Sequence, residues 1–443
     1  MLADSNLKYH ILTYGCQMNE RDSETLGGML EQMGYQWVDD LNNTDILLLN
    51  TCCVREKAEN KVLGHLGKYK KLKQTNPNLI IGVSGCMIQQ KGVAELIHER
   101  APHVDLLFGT HNIHRFPELL NQAKAAGATL IEVWDQEKSI VETLPTKRTD
   151  KLKAYITITY GCNNYCTYCI VPYVRGRERS REPQQILDEA TELANSGYKE
   201  IMLLGQNVNS YGKDFTKEVD FADLLISLDN IPQLSRIRYM TSHPRDFSDK
   251  IITVIANAKH VCKHFHLPVQ SGSNRILKKM NRGYSKEYYL GLLEKISRAV
   301  PDASITTDII VGFPGETDQD FEETLDLVTR AKFDSCFTFL YSPRQGTPAA
   351  KWEQVDEEIK KIRFNQLLKI QNEISLAKNN SMLGKTEQVL VEGISKTNDK
   401  RLSGRTEGNK VVNFDGDEKL IGQIVPVEIT EALTWSLSGR LVV

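Results

Sequence analysis

No stretch of the 443 residues approaches the roughly 20 continuous apolar residues that a membrane-spanning helix needs, and the opening MLADSNLKYH holds no apolar core of the signal-peptide kind. A cytoplasmic location without a membrane partner is therefore expected. Neither sign of charge is in excess: 55 Lys+Arg stand against 57 Asp+Glu, a formal net charge of -2. That balance excludes a globally basic nucleic-acid coat and leaves any RNA partner to local patches. No low-complexity tract and no repeat of fixed period runs through the sequence. With 40% hydrophobic and 25% charged residues, the profile is that of a globular protein rather than a disordered or collagen-like one. The length exceeds what one core usually serves, so two or three domains are expected.

What is present is alternation. Between residue 8 and about 133, the apolar runs KYHILTYG, DILLLNTC, LIIGVSGC, DLLFGT and ATLIEVW are separated by helix-like stretches such as 19-33 and 55-74. That pattern predicts βαβ units around a parallel sheet. DQEKSIVETLPTKRTDK at 135-151 is polar, breaks the rhythm and reads as a linker after an N-terminal domain over 1-134. A second βα series over 152-379 has candidate strands at 154-159, 199-205, 236-241, 263-268, 304-311 and 335-341, with helical patterns at 183-197, 285-299, 317-331 and 355-379. Six units are fewer than a closed eight-fold barrel requires, which predicts an open, partial (βα)6 barrel. Residues 380-443 change to short β-rich runs with Gly and Asn punctuation and read as a small β-barrel of OB-like size. The fold class is α/β: an N-terminal domain with a parallel sheet, a central partial barrel and this C-terminal barrel.

Nine cysteines, an odd number, favour ligation over disulfides in a reducing compartment. Cys162, Cys166 and Cys169 lie in YGCNNYCTYC, just after the alternating AYITIT, at the mouth where barrel enzymes place their chemistry. Three thiolates leave one iron of a 4Fe-4S cluster open to a ligand. A structural zinc site normally closes with four ligands in two close pairs, which this spacing does not fit. Cys16, Cys52 and Cys86 stand at the carboxyl ends of three successive candidate strands, the edge where open α/β sheets gather ligands. A second three-thiolate cluster is the inference, buried apolar cysteines the alternative. Neighbouring side chains on a strand end point opposite ways, so one of Cys52 and Cys53 should face the cluster, and Cys52 is taken. Cys262 and Cys336 read as core residues.

YGCNNYCTYC, with Tyr168 before its last cysteine, resembles the signature of the radical S-adenosylmethionine (SAM) superfamily. Taken with LTYGCQMN, NTCCVREKAENK, GVSGCMIQQ and YGCNNYCTYCIVPYVRGRERSR, the chain is similar to the methylthiotransferase family over essentially its whole length. The resemblance implies a radical SAM domain, a C-terminal TRAM domain, two 4Fe-4S clusters and SAM bound at the open iron. It implies the conversion of N6-isopentenyladenosine beside the anticodon to its 2-methylthio derivative, with one SAM as methyl donor and a second as radical source. A radical suits that carbon, whose ring hydrogen is not acidic enough for side-chain bases. The same resemblance leaves open threonylcarbamoyladenosine in tRNA, or a ribosomal-protein aspartate, as substrate. A non-catalytic iron-sulfur RNA-binding redox sensor is the rival of a different class.

The resemblance also suggests SAM contacts. Gly205 and Gln206 stand in LLGQNVNS where relatives carry a glycine-rich motif ending in an acid, here Gln, while Asp308, Gly312 and Glu316 in TDIIVGFPGE loosely match a later glycine motif. Tyr168, Ser242 and Gln270 are further cofactor-binding candidates, ordinary capping being the alternative for Ser242, Gln270 and Asp308. For RNA, Arg175, Arg177, Arg179 and Arg181 recur every second residue and would project from one face of an extended segment. The acid-free stretch 275-286, with Arg282, and the basic stretch 55-73 are further patches, and Arg405 is a candidate in the C-terminal barrel. Tyr165, Tyr168 and Tyr173 are candidates for stacking a splayed base. The partners expected are a tRNA anticodon stem-loop and an electron donor of flavodoxin or ferredoxin type, with the protein a monomer.

Overall fold

A computed structural model describes residues 7-53, 56-137, 139-396 and 398-442, with 56-61 described by backbone alone. Six parallel strands, β1 (Lys8–Thr13), β2 (Gln36–Trp37), β3 (Ile46–Thr51), β4 (Ile80–Gly85), β5 (Leu106–Phe108) and β6 (Leu130–Glu132), form the N-terminal sheet in the order β2-β1-β3-β4-β5-β6. Helices α1 (Gln17–Gln32), α2 (Glu56–Thr75), α3 (Val93–Arg100) and α4 (Phe116–Ala126) connect them. Alternate residues of β3 serve opposite faces. Leu47 and Leu49 pack under Leu66 of α2 and Ile97 of α3, while Ile46 and Leu48 pack under Leu30 of α1 and Leu119 of α4. Covering both faces makes the strand apolar throughout. β2 escaped the sequence reading because it is two exposed residues at the sheet edge.

The polar stretch read as a linker lies against α1 rather than free. Lys147 N donates to Glu24 O at 2.8 Å, and Gly28 allows the approach, since a Cβ there would stand 2.5 Å from the Pro145 carbonyl carbon.

The central region contains β7 (Lys153–Thr157), the short antiparallel pair β8 (Thr159–Tyr160) and β9 (Arg179–Ser180), then β10 (Glu200–Leu204), β11 (Arg236–Tyr239), β12 (His264–His266), β13 (Ser304–Val311) and β14 (Ser335–Leu340). Two parallel arcs, β11-β10-β7 and β12-β13-β14, are joined through the parallel bridge Ile237–Val261. Six strands thus curve as an incomplete barrel, backed by the helices Pro183–Asn195, Phe221–Asp229, Asp249–Asn257, Lys286–Ala299 and Asp318–Ala331 over one apolar core. A five-residue helix, α5 (Val171–Arg175), follows the cysteine loop.

The helix Glu357–Asn380 packs on β14 and leads to a closed barrel of β15 (Thr386–Ser395), β16 (Asn398–Arg405), β17 (Val411–Asp415), β18 (Ile424–Ala432) and β19 (Leu437–Leu441). Arginines of β11 fix this barrel. Arg236 donates to the Arg405 and Gln388 carbonyls at 2.6 and 2.7 Å, and Arg238 to those of Glu407 and Thr406, both at 2.8 Å. Arg238 keeps its charge paired by Glu200 at 2.7 Å. Among the described residues, no helix is long and apolar enough to cross a membrane.

Candidate iron-sulfur and cofactor site

β1, β3 and β4 lie side by side, with Thr13 opposite Asn50 and Thr51 opposite Gly85. Cys52 and Cys86 therefore leave the sheet in register, and Cys16 caps α1 in the next loop. Gly15, at φ +123°, presses that loop down: a Cβ on it would stand 2.5 Å from the Cys52 Cβ. Buried Asn19, in the first turn of α1, ties the edge together. Its Nδ2 donates to Thr51 O at 2.9 Å, and its Oδ1 faces the sulfurs of Cys16 at 3.7 Å and Cys86 at 3.9 Å. Arg175 donates from Nε to the Cys86 sulfur at 3.1 Å and from Nη2 to Asn19 Oδ1 at 3.0 Å, and pairs with Asp22 at 2.7 Å. Cys53 sits with Cys86, Ile170 and Val174 in one small apolar cluster. Its hydrogen bond, aided by the Arg175 charge and opposed by burial, lowers the Cys86 thiol to about 6. The adjacent cysteines thus divide, Cys52 under Gly15 and Cys53 against Cys86.

The second thiol set occupies the loop between β8 and α5. Gly161, at φ +76°, passes so close to the Arg177 carbonyl that a Cβ would lie 2.1 Å from its oxygen. From the other side, Asn281 Nδ2 donates to the carbonyls of Asn164 and Tyr165 at 3.1 and 3.2 Å, and Thr167 N donates to Met280 O at 3.1 Å. Arg282 Nη1 donates to the Cys166 sulfur at 3.3 Å while Nη2 holds the Pro268 carbonyl at 2.7 Å. Burial first, and the neighbouring Cys166 next, push the Cys169 thiol up to about 12. Burial likewise pushes Cys162 up to about 11. α5 begins two residues after Cys169 and ends at Arg175, so a single helical segment runs from one thiol set to the guanidinium on the other.

Among the described residues, no three Cys, His, Asp or Glu side chains converge as the shell of a single metal ion requires. Thiolates at separate corners of an iron-sulfur cube need no such convergence. A buried guanidinium on one sulfur of each set offsets the negative charge that three thiolates bring. Three thiols and a guanidinium in each set are donor chemistry of the kind such a cage takes.

The candidate SAM residues gather around the same end of the partial barrel. Gly205 lies against Thr159 at the end of β10, and Gln206 accepts from Gly161 N at 2.5 Å, bracing the cysteine loop. The Ser242 hydroxyl and His243 Nε2 are buried without a partner. Gln270 takes φ +74° and bonds through its backbone to Asp308 O and Ile310 N. Asp308 lies 3.4 Å from His266 Nε2. Gly312 packs on Lys360, and its N–H donates to Glu316 Oε1 at 3.0 Å; burial raises the Glu316 carboxyl to about 7. The Tyr168 hydroxyl is 3.5 Å from Arg282 Nη1.

The expected arginine stripe is corrected by the structure. α5 ends at Arg175, Gly176 turns the chain at φ +77°, and β9 begins at Arg179, so the four side chains do not share an extended face. Arg175 is buried on Cys86 and Asp22, and Arg181 is buried between Glu142 at 2.8 Å and Glu189 at 2.7 Å. Arg177 is exposed and Arg179 half-buried. Arg282, expected on RNA, is buried on the Cys166 sulfur for the same reason: its charge is used inside the protein. Of the basic stretch 55-73, Arg55 and the side chains of Lys57 and Lys61 lie outside the described residues. Tyr165 and Tyr173 are exposed beside the cysteine loop and meet edge to face at 6.1 Å. Arg405 is half-exposed, held by the Asn409 carbonyl at 3.2 Å. The sequence reading missed Asn19, three residues after Cys16 and so one helical turn on, and Glu178, which burial raises to about 7.

Comparisons with known proteins follow this division. Family models match residues 156–328 (Radical SAM superfamily), 8–109 (an uncharacterized protein family, UPF0004) and 380–442 (TRAM domain). A curated protein of Desulforamulus reducens, named tRNA-2-methylthio-N(6)-dimethylallyladenosine synthase, is 57% identical over 434 residues, 98% of this chain and 95% of the relative. One of the same name from Alkaliphilus oremlandii is 58% identical over 438 residues, covering 99% and 93%. In fold, the chain is similar to the radical SAM methyltransferase TsrM from Kitasatospora setae, solved with cobalamin and a [4Fe-4S] cluster (TM-score 0.57, 14% identity, 78% of this chain and 77% of that one). OxsB, a cobalamin-dependent SAM radical enzyme, shows the same likeness (TM-score 0.54, 14% identity, 83% and 56%).

Proposed function

The chain belongs to the radical SAM tRNA methylthiotransferases of the tRNA-2-methylthio-N(6)-dimethylallyladenosine synthase family, and we propose that it performs their reaction, methylthiolation at carbon two of N6-dimethylallyladenosine beside the anticodon. The observation that carries the reading is the pair of thiol sets linked by α5, each with a buried arginine on one sulfur. When bound, the clusters and SAM supply an electron, a methyl group and a radical able to take a ring hydrogen that no side-chain base removes.

The chain's own residues do the holding. Cys162, Cys166 and Cys169 would hold the cluster that serves SAM, and Cys16, Cys52 and Cys86 would hold the auxiliary one. Gln206, Ser242, Gln270 and Asp308 offer polar groups where SAM would lie, while Gly205 and Gly312 make room for Thr159 and Lys360 behind them. Exposed Tyr165 and Tyr173 suit stacking of a base splayed from a single-stranded loop, and Arg177 and Arg179 its phosphates. A flavodoxin- or ferredoxin-type donor delivers the electron to a monomer.

Two measurements test this. Nucleoside mass spectrometry of tRNA from a deletion strain should show N6-dimethylallyladenosine without its methylthio product; accumulation of unmodified threonylcarbamoyladenosine instead would shift the substrate. After anaerobic reconstitution, Cys162→Ala should abolish SAM cleavage, whereas Cys52→Ala should retain cleavage and lose thiolation. Cys53→Ala should keep both clusters, at about four irons each.

A further inference from the structure

Two short helical segments, Asn274–Lys279 and Pro348–Lys351, grip the cysteine loop from outside. Both hold Thr167, which lies between Cys166 and Cys169. Its N–H donates to Met280 O at 3.1 Å and its hydroxyl to Lys279 O at 2.8 Å, while its carbonyl accepts from Ala349 N at 2.9 Å. Around these bonds Ile276, Met280, Phe313, Tyr341 and Ala349 form a small apolar core against Tyr168. Aromatic rings cross that core from the surface inward. Trp352, 37% exposed, meets Phe313 edge to face at 5.8 Å, and Phe313 meets Tyr168, the neighbour of Cys169, at 6.4 Å.

The surface over this core is cationic. Ile276 and Leu277 turn inward, leaving Lys278 and Lys279 exposed, and Lys351 is exposed beside Trp352. None of the three lysines has a carboxylate partner among the described residues. Arg275 beside them faces Asp320 and Glu323, and exposed Glu353 follows Trp352, so the three lysines stand against one free acid. Such a patch attracts and orients an acidic protein surface. Its small extent is no obstacle, since electron-transfer interfaces bury less than about 1,200 Å² in all. An RNA backbone would also match the lysines, but it has no use for packed rings leading to the cysteine loop. An electron arriving from outside must cross protein to reach that loop, and atoms in contact carry it better than a gap does. We propose that the face of Lys278, Lys279, Lys351 and Trp352 is where a small acidic redox protein docks to reduce the cluster that Cys162, Cys166 and Cys169 would hold. One electron passes from the reduced donor to that cluster, oxidising the first and reducing the second, with no bond or proton exchanged. This rests on the radical SAM reading above.

The test measures equilibrium binding of an acidic flavodoxin to the reconstituted enzyme, beside SAM cleavage driven by two reductants. K278E/K279E should weaken flavodoxin binding at least about tenfold, and wild-type affinity should fall as salt rises. W352A should cost about tenfold as well, as expected of an interface tryptophan. With dithionite, a small reductant that needs no docking, both variants should cleave SAM at the wild-type rate, whereas with limiting reduced flavodoxin both should be slower by the factor lost in binding. Binding of a synthetic anticodon stem-loop should be unchanged. If W352A cleaves less SAM with dithionite, K278E/K279E decides alone. Wild-type flavodoxin affinity in K278E/K279E, or no flavodoxin binding by the wild type, overturns the docking face while the radical SAM reading stands. Loss of stem-loop binding with flavodoxin binding kept gives the lysines to RNA and overturns it equally. A wild type that cleaves no SAM even with dithionite overturns both.

Discussion

A single guanidinium on the sulfur proposed to hold the auxiliary cluster is a small object with a readable consequence. Hydrogen bonds to cluster sulfurs raise reduction potential, so Arg175→Met, which removes the donor to Cys86, should move the auxiliary cluster to a more negative potential. An EPR-monitored redox titration in a background lacking Cys162, Cys166 and Cys169 reads that cluster alone, and an unchanged midpoint would deny Arg175 this role. Glu178 gives a second test. Burial raises its carboxyl from 4.5 to about 7, so the folded state binds the proton more tightly than the unfolded chain. Its contribution is fully present below about pH 4.5 and is lost as pH climbs through about 7. Glu178→Gln is indifferent to pH and should gain melting temperature relative to wild type between pH 5 and 8, by about 2–4 °C for each kcal/mol recovered.

At the scale of the element, the cysteine loop depends on a backbone conformation that side chains oppose. Gly161→Ala would impose a Cβ on the Arg177 carbonyl at positive φ, a strain of about 1–3 kcal/mol before any clash. Iron bound after reconstitution should then fall by about half, the loss of one of two cubes; full iron content would show that the loop tolerates the change. The elements also show what was legible beforehand. β3 and β13 were readable because runs such as ILLL and SITTDIIV are strand-like over their whole length. The arginine stripe was misread because alternation suggested an extended chain, although Pro172 at the second position of VPYVR is a helix-start signal. The acids that draw Arg175 and Arg181 inward are Asp22, Glu142 and Glu189, on other segments, and no local pattern announces them. Likewise, that Cys16, Cys52 and Cys86 share a sheet edge followed from their places after apolar runs, whereas the approach of Cys53 to Cys86 depends on how two loops pack.

For the whole molecule, the joint between the barrels is the element of greatest reach. Arg238→Met would leave Glu200 buried without its partner and two carbonyls without their donor. Losing one half of such a pair typically costs about 3–5 kcal/mol. Chemical denaturation should register that loss, and limited proteolysis should release a fragment beginning near the helix Glu357–Asn380. All four donations from Arg236 and Arg238 across this joint end on main-chain oxygens. Main-chain oxygens are common to every sequence, so the latch makes few demands on the identity of the residues it grips. A chimaera carrying the terminal module of a distant relative should therefore dock on this body, provided its hairpin keeps the same path and a lysine still meets Asp334 as Lys410 does.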